Sequence, residues 1–456
     1  MFKVKEVIKA TGGILASGMF PRSLSGLCID SRTLLAGSIF VPIVGKKFDG
    51  HNFIDEAVDK GAKVVIYADA EKVRNFRKGV AYIKVGDTTK ALGDLALFHR
   101  RRFDIPVIAV TGSSGKTTTK EMIAGILSAR YNVHKNKGTQ NNLIGVPLTL
   151  LEIHSKHDIC VVEIGTNRAG EIGELARIAE PNVGVITNIG PAHLEFLGDL
   201  KGVYKEKIEL IKRLTHPGVA VLNKGDIYLG KLSRVRSKPL FFYGINQDCE
   251  FRATEITYKN KSISFLFNGT HEIEIRHFAL HNVSNALAAI SCGILFGLDI
   301  NEMKEKIEAF DSPDMRLKEI KLKDCVVFDD SYNSNPQSLK QAIDVLCRQT
   351  GASRRILIMG DMLELGKKSE EFHAYFGTYV SKKSVDVLIT MGQLSRAASE
   401  SAKRGGMSTA SIFHFENCAS VLEFLHLNIK PGDVLLVKGS RSMQMENIVA
   451  SLKERL

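Results

Sequence analysis

Residues Thr111 to Thr119 read TGSSGKTTT, a run of small, hydroxylated and glycine residues around a single lysine. The apolar run Ile105-Pro-Val-Ile-Ala-Val110 precedes it, and Lys120 to Ala129 follows with the periodicity of an amphipathic helix. Strand, glycine-rich turn and helix in this order make a phosphate cradle, because backbone N–H groups close around an anion at the positive end of a helix. Lys116 is placed to reach the β- and γ-phosphates of ATP and the Thr117 hydroxyl to ligate Mg²⁺, with Gly112, Ser113, Ser114, Gly115 and Thr118 completing the loop. Strict Walker spacing wants a glycine at position 110, where Val110 stands, so this loop is a tighter variant.

Other polar residues fall at the ends of apolar runs. Glu163 closes Cys160-Val-Val-Glu163, where a carboxylate can serve a hard cation or cap a helix. His193 lies just past Val183-Gly-Val-Ile-Thr187 and on its own reads more readily as a hydrogen-bonded loop residue than as a ligand. Lys205 and Lys207 read by themselves as a solvated helix face. Asp329-Asp-Ser-Tyr-Asn-Ser-Asn-Pro336 ends a strand with polar groups and a turn, which suits a ribose or a base edge as well as an ordinary strand–helix junction.

Three α/β sections must position these groups. The first, residues 1–103, holds short runs at Ser38–Pro42, Lys63–Tyr67 and Ala81–Val85, and ends in a helix over Thr89–Arg101. The middle section, residues 104–312, alternates β-branched runs with helices, the mark of a mostly parallel sheet with ligands at its strand ends. Within it, Leu240 to Phe278 reads as antiparallel hairpins with Asn268-Gly269 as a turn, before a helix over Asn282–Leu295. From Ser312-Pro313 a second αβ series over residues 313–456 reads as a doubly wound, Rossmann-like domain.

Composition narrows the class. Among the 456 residues, 44% are hydrophobic and 25% charged, an ordinary globular balance. The N-terminus Met-Phe-Lys-Val-Lys-Glu lacks a signal-peptide core and no run approaches a bilayer span, so a cytoplasmic chain with no membrane insertion is expected. Seven cysteines are scattered singly, which favours reduced thiols over a disulfide framework or a zinc site. The net charge of +12 is spread along the chain without an aromatic-rich basic tract, which argues for anionic small molecules rather than nucleic acid.

Taken together, these motifs resemble the Mur ligases, ATP-dependent amide-forming enzymes of peptidoglycan precursor synthesis, over essentially the whole chain. The loop Thr111–Thr119 is similar to the family's short phosphate loop, and Gly138-Thr-Gln-Asn141-Asn142 to its substrate-side loop, although Thr139 stands where the family has asparagine. The resemblance implies that Glu163 and His193 bind a second Mg²⁺, and that Lys207 reacts with CO₂ to give a carbamate that joins them. It further implies that Asn285, in His281-Asn-Val-Ser-Asn285, lies near adenine and that Arg316 touches phosphate. Asp330 is matched to ribose, and Asn333 with Asn335-Pro336 to the adenine-side turn. Asp30-Ser31-Arg32-Thr33 resembles the uridine-diphosphate contact, with Ser31 and Arg32 as ligands. Gly360-Asp-Met-Leu-Glu-Leu-Gly366 and Lys438-Gly-Ser-Arg-Ser-Met443 with Glu446 resemble the branch that adds D-alanyl-D-alanine to a UDP-N-acetylmuramoyl tripeptide. A monomer is expected, with Lys116, Lys207, His193 and Arg316 as its catalytic set.

Other readings predict different behaviour. The ligase that adds the third amino acid has a first section of similar size; the Asp-Asn-Pro-Arg motif of its diaminopimelate-adding type is not found here, which argues against that type but not against a lysine-adding one. Folylpolyglutamate synthetase shares the phosphate loop but begins close to it. A P-loop switch would hydrolyse ATP without needing an acceptor, and a nucleic-acid-binding protein would show affinity that falls steeply with salt.

Overall fold

The computed structural model describes residues 2–21, 23–45, 47–233, 235, 238–259, 262–276 and 279–455. They fall into two compact units, one of residues 1–107, 134–164 and 174–180, the other of 108–133, 165–173 and 181–456.

The first unit is built on a five-stranded sheet in the order Ile14–Ser17, Ala81–Lys84, Val64–Tyr67, Ile39–Phe40, Leu27–Cys28. Only the edge strand Ile14–Ser17 runs antiparallel to its neighbour; the rest are parallel. Val64, Val65 and Ile66 are wholly buried, which explains their continuous apolar run: a sheet covered on both faces has no polar side. The helix Thr88–Arg100, capped by Asp87, buries Leu92 and Leu95 against one face. The helix Gly145–Leu151 and the buried strand Ile159–Glu163 belong to the same unit.

In the second unit, Val107–Thr111 pairs in parallel with Val183–Ile186, which pairs with Val219–Asn223, which pairs with Leu240–Ile245. The sequence places Leu240 within antiparallel hairpins. Instead it begins a further parallel strand, and Phe251–Tyr258 joins that strand in parallel over Tyr243–Ile245. The antiparallel addition starts one strand later: Phe251–Tyr258, Ile263–Phe267 and His271–Ile275 form a meander. Its turn is Asn268-Gly269, with φ of +49° and +76°, the two left-handed residues a tight hairpin needs. The helix Leu280–Leu295 starts two residues earlier than its pattern suggests.

The same unit carries a six-stranded sheet in the order Lys318–Lys321, Cys325–Asp329, Asp433–Lys438, Arg354–Gly360, Val387–Met391, Ile412–Phe415. All its pairings are parallel except the first, and Val327, Ile358, Ile389, Leu435 and Val437 fill its core. This is the expected doubly wound arrangement. No helix among the described residues is long and apolar enough to cross a membrane, and all seven cysteines are unpaired.

Candidate active site

The loop after Val107–Thr111 is shaped by two glycines. Gly112 has φ +152°, and a Cβ there would lie 1.8 Å from Thr187 Oγ1; Gly115 has φ +77° and would press its Cβ to 2.6 Å from Asn285 Oδ1. Only glycine lets the chain pass this close, so the helix starts at Lys116, four residues before its apolar periodicity shows. The neighbouring strand end holds the loop from outside. Ser113 N donates to Asn188 O at 3.1 Å, Ser114 N to Asn188 Oδ1 at 3.0 Å, and Thr187 Oγ1 to Ser114 O at 2.6 Å. Sequence reasoning passes over Thr187 and Asn188. Their signal is the polar break after Val183–Ile186, the strand that pairs directly with the one feeding the loop.

Lys116 Nζ donates to Gly112 O at 2.9 Å, so the lysine arches over its own loop. Arg316 reaches in from the C-terminal section, its Nη2 3.2 Å from Thr117 Oγ1 and its guanidinium stacked 4.0 Å from the Tyr332 ring. Asn335 Nδ2 donates to Ser113 O at 3.1 Å while its Oδ1 caps the helix Pro336–Cys347. Beside these lies a cleft of about 310 Å³ lined by Ser114, Gly115, Thr187, Asn188, His281 and Asn285 on one side and Gln337, Lys340 and Arg348 on the other. Gln337 Oε1 is buried there without a hydrogen-bond partner among the described residues, an acceptor that a ligand donor would satisfy. Asn285 is fixed by Asn282 and Thr119, with Oδ1 taken by Thr119 Oγ1 at 3.2 Å.

Lys207 lies on the helix Leu200–Lys212 at 2% exposure, whereas Lys205 is exposed. The solvated-face reading therefore holds for Lys205 and fails for Lys207. Burial, and then the neighbouring Lys116, push the Lys207 amine well below the usual lysine range, with Glu206 pulling the other way. Glu206 is occupied elsewhere, accepting from Gly170 N at 2.7 Å and Ile172 N at 2.8 Å. His193 precedes the short helix Leu194–Leu197 with φ +54°, and its Nδ1 lies 2.5 Å from Glu364 Oε2.

Asp330 and Asn333 meet Lys438 rather than the cleft lining. Lys438 Nζ donates to Asp330 Oδ2 at 2.6 Å and to Asn333 O at 2.9 Å, and Leu317 N donates to Asp330 Oδ1 at 3.2 Å. Burial penalises both charges, pushing the Asp330 carboxyl up and the Lys438 amine down, and each is the other's principal offset. Removing one partner leaves the other charge buried and alone. Lys438→Met should cost about 3–5 kcal/mol in urea unfolding, and Lys438→Met with Asp330→Leu should recover most of it. A single variant that unfolds like the parent would show that the pair carries no weight.

In the first unit, Asn141 Nδ2 donates to Glu163 Oε1 at 2.7 Å, and Asn136 Oδ1 accepts from Glu163 N, so the acid and the substrate-side loop come together. Asn142 has a structural task as well: its Oδ1 accepts from Ile144 N and Gly145 N at the start of a helix. Ser31 and Arg32 lie in the short turn Ser31–Thr33, capped by Asp30. Paired with Arg32, the Asp30 carboxyl is held down at about 2, while the Arg32 side chain remains mostly exposed.

The donor set suits Mg²⁺. In the second unit Thr117 offers a hydroxyl, His193 an imidazole and Lys207, as a carbamate, oxygens of the kind Mg²⁺ favours; in the first, Glu163 offers a carboxylate. Lys207 as an ammonium would repel the ion; as a carbamate it supplies oxygens.

Three family models match the chain: the Mur ligase family catalytic domain over residues 23–100, the Mur ligase middle domain over 110–293, and the Mur ligase glutamate ligase domain over 315–441. UDP-N-acetylmuramoyl-tripeptide–D-alanyl-D-alanine ligase of Bacillus subtilis is 34% identical over 454 residues, covering 99% of this chain and 98% of the relative. The crystal structure of MurF from Acinetobacter baumannii superposes with a TM-score of 0.90 at 31% identity, covering 100% of this chain and 99% of that one. MurF ligase from Thermotoga maritima, solved in complex with ADP, gives 0.83 at 27% identity over 94% of this chain and 97% of that one.

Proposed function

The chain belongs to the Mur ligase family, and we propose from that premise that it joins D-alanyl-D-alanine to UDP-N-acetylmuramoyl tripeptide at the expense of ATP. The products are the UDP-N-acetylmuramoyl pentapeptide, ADP and phosphate, a step of peptidoglycan precursor synthesis. The observation that carries this reading is the likeness, over nearly the whole chain, to ligases of that name.

The terminal carboxylate of the tripeptide attacks the γ-phosphorus of ATP, the bond to ADP breaks, and an acyl phosphate results. The free amine of D-alanyl-D-alanine attacks the acyl carbon; the C–N bond forms, phosphate leaves and the amine proton passes to solvent. Lys116, which touches Gly112 O, and Arg316, which touches the Thr117 hydroxyl, supply positive charge to the transferring phosphoryl group. Gly112, Ser113, Ser114, Gly115, Thr117 and Thr118 offer the backbone and hydroxyl donors of an anion cradle. When bound, Mg²⁺ neutralises phosphate charge; we assign Thr117 to one ion, and Glu163, His193 and Lys207 as its carbamate to a second. Asn285 lines the cleft we assign to the nucleotide base; Asp330 and Asn333, which meet Lys438 outside that lining, are assigned to the ribose and the adenine-side turn, and Ser31, Arg32, Asn141 and Asn142 to the UDP-substrate. We assign residues 1–103 to UDP-substrate binding, 104–312 to ATP binding and 313–456 to closure of the ligase site, in a cytoplasmic monomer.

Phosphate release from ATP, with Mg²⁺ and UDP-N-acetylmuramoyl tripeptide, tests this directly. Release should require D-alanyl-D-alanine and yield a pentapeptide by mass. Release with a free amino acid on the dipeptide precursor would point to the ligase of the preceding step, and release without any acceptor would leave a nucleotide hydrolase.

A further inference from the structure

The segment after the strand Arg354–Gly360 is staked at several points. Asp361 accepts from Ser395 N at 2.7 Å and Leu394 N at 3.3 Å, and its carbonyl accepts from Ser440 N at 3.0 Å. Met362 N donates to Nε2 of the buried His373 at 2.9 Å, and Leu363 N to Ser440 Oγ at 2.8 Å. So anchored, the loop presents Glu364 at φ +62°, a left-handed conformation that a non-glycine residue keeps only where its surroundings impose it.

Glu364 makes two contacts with the segment around His193, which is itself left-handed. Its Oε2 lies 2.5 Å from His193 Nδ1, and its carbonyl accepts from Glu195 N at 3.1 Å. Gly366 packs close behind, with space for no more than a tight Cβ 3.2 Å from Glu195 Cα. An ionised carboxylate only accepts, so the proton between the two side chains belongs to Nδ1, and Nε2 becomes the nitrogen that carries the lone pair.

We propose that Glu364 is a positioning residue for His193: it selects the tautomer and ring orientation in which Nε2 can ligate a metal ion, and it does so only while the C-terminal section is docked on the central one. The inference rests on the assignment of His193 as a metal ligand. Carboxylate partners of this kind fix ligand histidines elsewhere, and their loss weakens metal binding about 10–100-fold. Here the carboxylate comes from the C-terminal six-stranded domain, so metal affinity and docking become one equilibrium, each favouring the other to the same degree.

The test titrates Mn²⁺ onto the full chain with ADP, reading free Mn²⁺ by electron paramagnetic resonance. Glu364→Ala should weaken Mn²⁺ binding at least tenfold with an unchanged melting temperature, and Glu364→Gln, which retains an oxygen acceptor, should recover part of the loss. Nitrogen NMR of labelled histidine should show the His193 Nδ1–H tautomer in the parent and lose it in Glu364→Ala, a change that a merely structural contact would not produce. Mn²⁺ affinity weakened in His193→Gln but intact in Glu364→Ala would overturn the proposal alone. Affinity intact in both would overturn the assignment of His193 as ligand, and the proposal with it.

Discussion

Lys116→Ala should lower kcat for ligation by about 10²–10³-fold while the melting temperature stays within about 2 °C of the parent. The stability half of this expectation follows from how the lysine is held. Its Nζ donates to the neutral Gly112 O at 2.9 Å at a half-buried position, where such a hydrogen bond is worth about 0.5–1.5 kcal/mol. Alanine is a better helix former than lysine, and residue 116 opens the helix Lys116–Leu127, so local structure loses nothing. The loop itself is fixed by Asn188 and Thr187 through bonds that do not involve Lys116.

The activity half follows from charge. The γ-phosphoryl group spreads negative charge over its equatorial oxygens as it transfers, and catalysis is mainly positioned cations. Removing one such donor typically costs about 2.7–4 kcal/mol of transition-state stabilisation. Because the loss falls on the transition state, kcat and kcat/KM for ATP should decline together in steady-state kinetics. Full turnover by the variant would remove the loop from the mechanism.

The phosphate loop was legible because its chemistry is local: glycine freedom, a lysine and a hydroxyl within nine residues, between a strand and a helix. The mostly parallel sheet of the middle section and the doubly wound C-terminal series were legible too, since strands buried on both faces read as unbroken apolar runs. The strand Leu240–Ile245 was misjudged because periodicity shows that a segment is extended but not the direction of its partner. That direction is set by how the chain returns to the sheet, which is a tertiary matter.

Site residues divide along the same line. Thr187, Asn188 and Gln337 reach the loop and the cleft only when distant segments pair; the polar break after Val183–Ile186 marks the first two, but not what they bind, and no such break marks Gln337. Lys207 is the sharpest case. Lys205-Glu206-Lys207 reads as a charged surface, yet two positions along a helix turn through roughly 200°, so one lysine faces solvent and the other the interior. The family resemblance points to Lys207, and its burial gives the physical reason that its amine can be reactive.

That reason leads to the second large effect. Stripping CO₂ from enzyme and buffers should lower the ligation rate at least tenfold, and added bicarbonate should restore it; Lys207→Ala should be about 10²–10³-fold slower with or without bicarbonate. Carbamate formation needs the neutral amine: nitrogen attacks CO₂, an N–C bond forms, and a proton leaves to solvent, giving an anion where an ammonium stood. Out of water, and beside the positive charge of Lys116, the ammonium of Lys207 is disfavoured, so its amine lies well below the usual lysine range. The sign is definite. With the amine depressed, the neutral form persists to lower pH than in an exposed lysine, and carbamate should survive at pH values where surface lysines are fully protonated. The anion also turns the repulsion from Lys116 into attraction, so the neighbour that depresses the amine stabilises the product. Carbon NMR with labelled bicarbonate should show one carbamate signal that Lys207→Ala abolishes and Lys205→Ala leaves in place. A rate indifferent to CO₂, with no such signal, would mean that Lys207 serves as a buried amine and the proposed metal ligand set is one member short.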